Sequence, residues 1–215
     1  MIENILFDLD GTLTDPAEGI TNSVVYSLKK YGIEVTDKAS LNSFIGPPLA
    51  DSFMKYYGFS YEKSIEAISY YREYFSTKGL FENKVYCGVP EMLKLLKSEG
   101  KKIFLATSKP EIFAEEILKH FMIDEYFDFV CGSLLDNTRC DKHEVIEHVI
   151  SSCKINKNNS VMVGDRKHDI IGAKKSQIVS VGVTYGYGSK NELIEYGANY
   201  IFDTIKELSY FLLTK

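Results

Sequence analysis

Ile5-Leu6-Phe7-Asp8-Leu9-Asp10-Gly11-Thr12-Leu13 runs from an apolar stretch straight into two carboxylates two positions apart. Residues 5–7 show no polar alternation, the pattern of a strand buried on both faces. Acids closing such a strand stand where open α/β sheets bind their ligands. Taken alone, Asp10-Gly11 would also suit a hairpin turn. An EF-hand is excluded: counting from Asp8, the sixth position is Leu13 instead of Gly, and the twelfth is Gly19 instead of Glu.

Four further apolar runs, at 103–106, 127–130, 161–163 and 179–183, read as buried strands with helical patterns between them. Pro90 marks a helix start and Gly100 its end. Ile112, Phe113, Ile117, Leu118 and Phe121 share one helical face, as do Val145, Ile146, Val149, Ile150 and Cys153. Ser189-Lys190-Asn191-Glu192 is a capping box opening a late helix that ends near Gly197. Strand alternating with helix predicts a doubly wound, Rossmann-like parallel α/β sheet. Residues 14–83 break the alternation. Asp15-Pro16-Ala17-Glu18 signals a helix start, Ile20, Val24, Leu28 and Tyr31 recur at helical spacing, and helix-like stretches cover 50–57 and 61–78. The predicted organisation is a core of 1–13 and 84–215 with an all-helical insertion at 14–83.

The 215 residues, 45% hydrophobic and 26% charged, exclude a disordered, collagen-like or coiled-coil chain. A net charge of −5 argues against a grip on a nucleic acid polymer. No apolar run approaches the ~18 residues of a membrane helix, so no membrane partner is expected. Acids near Met1 do not suit a signal peptide, and a cytoplasmic chain beginning at Met1 is the expectation. Cys87, Cys131, Cys140 and Cys153 form no C-x-x-C pair, which favours reduced thiols.

Two later strands end in chemistry of the same kind. Residues 103–106 run into Thr107-Ser108-Lys109, and 161–163 into Gly164-Asp165-Arg166-Lys167-His168-Asp169. A cap or turn hydroxyl would account for Thr107 alone, and an N-cap for Asp165 alone. Three polar clusters closing three buried strands are harder to set aside together.

D-x-D-G-T, then Thr-Ser, a Lys before a helix and G-D-x-x-x-D resemble the haloacid-dehalogenase-like phosphatases over the whole chain. The Lys is best placed at Lys142, with Lys109 as the rival. The strings Phe44-Ile45-Gly46-Pro47-Pro48-Leu49, Gly164-Asp165-Arg166-Lys167-His168-Asp169 and Tyr185-Gly186-Tyr187-Gly188-Ser189 resemble the phosphoglycolate-phosphatase-like branch and its bacterial 5′-nucleotidases. The resemblance implies a helical cap at 14–83 and hydrolysis of a small phosphorylated metabolite or nucleotide. It implies that Asp8 attacks phosphorus to give an aspartyl phosphate, and that Asp10 serves as general acid and base. Leu9, Asp10, Thr107, Ser108 and Lys142 would bind substrate or phosphoryl oxygens. Asp8, Asp165 and the Asp10 carbonyl would hold Mg²⁺, a cation that takes hard oxygen ligands. Gly164 and Asp169 would support the site, Asp169 by orienting Lys142 or a metal-bound water. A phosphoglycolate-phosphatase-like activity is the first expectation, with a 5′-nucleotidase, a phosphomutase and a phospho-accepting signalling module as the competing readings.

Weaker signals carry blander expectations. The segment 182–188 reads as a strand-to-helix turn. Tyr56, Tyr57, Tyr61, Tyr70, Tyr71 and Tyr74 read as packing of the insertion, and Arg72 and Lys55 as surface charges. His143 and His148 are out of helical phase for a shared metal.

Overall fold

The computed structural model describes every residue except Asn137. The chain divides into two compact units, Met1–Asp15 with Val85–Lys215, and Pro16–Lys84. From the amino terminus, the first unit opens with β1 (Asn4–Phe7), buried throughout, and the two-residue β2 (Thr14–Asp15). The second unit holds α1 (Ala17–Lys29), α2 (Leu49–Tyr57) and α3 (Tyr61–Tyr74), with a π-helical turn at Phe75–Gly79. The chain then returns through β3 (Lys84–Val85). α4 (Val89–Ser98), β4 (Lys102–Pro110), α5 (Glu111–His120), β5 (Phe129–Ser133) and α6 (Lys142–Cys153) follow. The chain ends with β6 (Ser160–Gly164), α7 (Lys167–Lys175), β7 (Val179–Val183), α8 (Lys190–Glu195), β8 (Tyr200–Phe202) and α9 (Ile205–Thr214).

The larger sheet has six strands in the order β5-β4-β1-β6-β7-β8, every neighbouring pair parallel. The chain builds outward from β1 through β4 to β5, then crosses to β6 on the other flank. That reversal makes a crevice at the carboxyl ends of β1 and its neighbours. Leu6, Phe104, Cys131 and Met162, one from each of four strands, pack under Val145, Ile146 and Val149 of α6 and Ala173 of α7. This is the continuous apolar layer that a two-face-buried sheet requires. The doubly wound sheet expected from the alternation is present.

Among the elements that went unread in the sequence are β8, α9 and the two-residue strands β2 and β3, the first of which opens the 14–83 stretch expected to be all helical. β8 is three residues long, and α9 is marked by a capping box at Thr204 and Glu207. In the inserted unit, Phe44, Phe53, Tyr57, Phe59 and Tyr31 form a chain of ring contacts 5.0–6.1 Å between centroids. Part of the aromatic content is therefore packing of that unit, with Tyr71 buried and Tyr56 and Tyr61 exposed. Among the described residues, no helix is long and apolar enough to cross a membrane.

Candidate active site

Asp8 follows β1, and its N–H donates to the Val163 carbonyl at 2.9 Å. The ladder with β6 thus runs one residue past the strand and holds the acid at the rim. Leu9 turns its side chain into the core, and its carbonyl accepts from the N–H groups of Thr12, Leu13 and Thr14 at 3.2, 2.9 and 3.0 Å. The loop doubles back on itself at Gly11, where φ is +86°. Any contact of Leu9 with a ligand must therefore be through its backbone.

Lys142 opens α6 behind the N-cap Asp141, whose carboxylate accepts from the His143 N–H at 2.7 Å. Its side chain turns inward and is 4% exposed. Nζ donates to Asp8 Oδ1 at 2.7 Å and to the Ala106 carbonyl at 3.0 Å, and lies 2.9 Å from Asp169 Oδ1 as an ion pair. Burial disfavours the ammonium, but the Asp169 and Asp8 carboxylates outweigh it and raise the pKa. The rival cation has a different partner. Lys109 Nζ sits 2.7 Å from Asp10 Oδ2, with its side chain 6% exposed. Thr107 is buried within β4, which runs three residues past it, its Oγ1 accepting from the Lys109 N–H at 3.2 Å, and the Ser108 carbonyl accepts from Ser133 Oγ at 2.9 Å.

Asp165 and Asp169 come from the turn between β6 and α7. Asp169 Oδ2 accepts from the Arg166 N–H at 3.1 Å, closing the first turn of the helix. Asp165 Oδ2 accepts from the Tyr187 N–H at 2.7 Å, so the loop after β7 grips the acid by its backbone. The same loop reaches the first acidic segment: Tyr185 Oη donates to the Thr12 carbonyl at 3.1 Å, and Tyr187 Oη to Asp15 Oδ1. These anchoring roles were not foreseen. The alternating glycines of 186 and 188 were the available signal, since such spacing lets backbones meet.

Ligand oxygens of Asp8, Asp165 and Asp169 all lie within 4.8 Å of one another. Burial, with Asp169 and Asp8 close by, pushes Asp165 well above the usual carboxylate range. Burial also lifts Asp169 to about 6 against the pull of Lys142. Asp10 is raised by burial, with Lys109 opposing. Asp165 Oδ1 and Asp10 Oδ1 are buried without a hydrogen-bond partner. Three crowded acids around one ammonium, with an orphaned hard oxygen among them, suit a divalent cation. Nearby, His168 is held low by burial and by the Arg166 and Lys167 charges, which does not suggest a proton donor at neutral pH.

The family described as haloacid dehalogenase-like hydrolase matches residues 5–183. A 5′-nucleotidase of Pseudomonas aeruginosa is 49% identical over 88% of this chain and 86% of its own. A phosphoglycolate phosphatase of Colwellia psychrerythraea is 30% identical over 96% of this chain and 95% of its own. A crystal structure described as a predicted phosphatase from Clostridium acetobutylicum is 50% identical and superposes with a TM-score of 0.97 over the whole of both chains. With three acids and a buried lysine converging at the switch point of the sheet, this chain belongs to the haloacid dehalogenase-like hydrolase family and is one of its phosphatases.

Proposed function

We propose that the chain is a Mg²⁺-dependent phosphomonoester hydrolase that forms an aspartyl phosphate on Asp8. The observation that carries this reading is the division of charge at the rim: Lys142 serves Asp8 and Asp169, while Asp10 stands apart on Lys109. One carboxylate is thereby presented for attack, and a second is kept for proton transfer. Asp8 attacks phosphorus in line. Lys142 and the Thr107 hydroxyl bind the transferring oxygens, with Ser108 and the backbone at Leu9 completing the cradle. Asp10 donates a proton to the departing oxygen and later takes one from the water that cleaves the acyl phosphate. Asp8, Asp165 and the Asp10 carbonyl would hold Mg²⁺, which supplies positive charge for the developing phosphoryl charge. Asp169, paired with Lys142, orients the ammonium.

The helical unit Pro16–Lys84 is proposed to act as the cap that reads the leaving group. The 49% identity to a named 5′-nucleotidase supports a nucleoside monophosphate ahead of phosphoglycolate, whose named phosphatase relative is 30% identical. A phosphate-release screen over nucleoside monophosphates, phosphoglycolate and sugar phosphates, with Mg²⁺ and then with chelator, tests both levels. Release that collapses on chelation and is highest on nucleotides is the expected result. A flat, metal-independent response would refute the reading.

The acids also set a pH dependence. Asp165, Asp10 and Asp169 all bind protons more tightly when folded, Asp169 with a pKa of about 6 against an ordinary 3.8. A raised folded pKa gives stability that is full below the unfolded value and lost as pH rises through the folded one. The metal-free protein should lose on the order of 2 kcal/mol, about 5 °C in Tm, between about pH 5 and 7.5. Lys142, also raised, keeps its contribution across this range. Mg²⁺ favours the ionised acids and should raise Tm more at the higher pH. Melting curves in chelator and in Mg²⁺ at both values check this; a larger Mg²⁺ increment at the lower pH would contradict it.

A further inference from the structure

The role of Lys109 is not accounted for by nucleophile, cation and phosphoryl cradle, which Lys142 already serves. Lys109 is a buried ammonium delivered by an irregularity in β4. The pairing of β4 with β5 shifts register between Ala106 and Pro110, the interval that contains Lys109. Bulges at strand ends re-aim side chains beside active sites. Here the Lys109 carbonyl comes so close to β5 that a Cβ on Gly132 would lie 2.5 Å from it. The backbone is fixed on the other side by the Thr107 hydroxyl at 3.2 Å. So placed, Nζ meets Asp10 Oδ2 at 2.7 Å, while Oδ1 of the same carboxyl is buried with no partner.

An ammonium only donates hydrogen bonds, so the oxygen it touches is held as an acceptor. A proton on Asp10 must then sit on Oδ1. We infer that Lys109 is a positioning residue for the leaving-group step: it anchors Oδ2 of Asp10 and so leaves Oδ1 as the proton carrier. This rests on the proposed role of Asp10 as general acid. As the bond between phosphorus and the ester oxygen breaks, its electron pair stays on that oxygen, which takes the Oδ1 proton and leaves as an alcohol. Asp10 is left as a carboxylate that Lys109 stabilises. The water that later attacks the acyl phosphate returns a proton to the same oxygen.

A proton donor matters little for a leaving group that is stable as an anion and greatly for one that is not. The test is therefore kcat/KM, which reports the step in which the leaving group departs, for 4-nitrophenyl phosphate against phenyl phosphate in Mg²⁺. Lys109→Met should lose at least about tenfold more on phenyl phosphate than on 4-nitrophenyl phosphate, within the 10²–10⁴-fold scale of general acid catalysis. Asp10→Asn should show the same selectivity, and Lys109→Arg should recover most of the phenyl phosphate activity. Activity on the nitrophenyl ester doubles as the check that the variant is folded. Equal losses on both esters would make Lys109 a phosphoryl-binding residue, and no loss would make it a structural one; either outcome overturns the inference. Full activity of Asp8→Asn on both esters would instead bring down the reading of the site itself.

Discussion

Asp8→Asn should abolish turnover of every phosphomonoester the wild-type protein cleaves, by about 10⁴-fold or more. An amide is nearly the same size as a carboxylate but is a poor nucleophile towards phosphorus. The surroundings favour a clean result. The Asp8 N–H stays in its bond to the Val163 carbonyl, and Lys142 keeps Asp169 and the Ala106 carbonyl as partners. Removing one of the three clustered acids also relieves like charge, because Asp8 is among the groups that raise both Asp165 and Asp169. The variant should therefore melt within a few degrees of wild type in chelator and show no burst of released alcohol when mixed with 4-nitrophenyl phosphate. Retention of more than about a tenth of wild-type activity would remove Asp8 from the role of nucleophile, since loss of a nucleophile in other hydrolases costs far more.

How much of this was legible without coordinates differs from residue to residue. Asp8, Asp10 and Asp165 stand at the ends of strands whose apolar runs are unmistakable, so the sheet edge that collects them follows from the alternation of elements. Strand ends were less exact. The run at 127–130 overlaps the observed β5, Phe129–Ser133, only at its last two residues, because Phe127 caps the preceding 3₁₀ segment. Choosing between Lys109 and Lys142 was beyond periodicity, since each is a single cation next to an element boundary. What separates them is three-dimensional: α6 carries Lys142 to Asp8, whereas the register shift in β4 carries Lys109 to Asp10. Both lysines turn out to be buried, as a site at the sheet edge needs and a solvated surface charge would not be. The loop at 182–188 is a strand-to-helix turn, but its Tyr187 N–H also holds Asp165, and a backbone donor leaves no compositional trace.

Gly186→Ala should be severely damaging although it replaces no side chain of the site. A Cβ at this position would lie 2.2 Å from the Gly11 carbonyl and 2.5 Å from Asp165 Oδ2. Neither neighbour can yield cheaply. Gly11 is held by its own N–H to the Thr14 carbonyl at 2.7 Å, and Asp165 Oδ2 by the Tyr187 N–H at 2.7 Å. Relief must move the segment carrying Asp10, the acid from β6, or the loop between them, and so alter the spacing of the groups that are to act together. Displacements of about 1 Å in such constellations cost on the order of 10²-fold in rate, so kcat/KM should fall by about that factor on every substrate alike. Overpacking should also cost about 1–3 kcal/mol, roughly 5 °C in Tm. Gly100→Ala is the matched comparison. Its φ of +75° strains an alanine, yet nothing lies within 4 Å of the added carbon. It should lose about 1 kcal/mol of stability with no change in kcat/KM. If the two variants melt alike and both keep full activity, close approach of the 185–188 loop is not what spaces the acids, and the Tyr187 hydrogen bond to Asp165 must do so unaided.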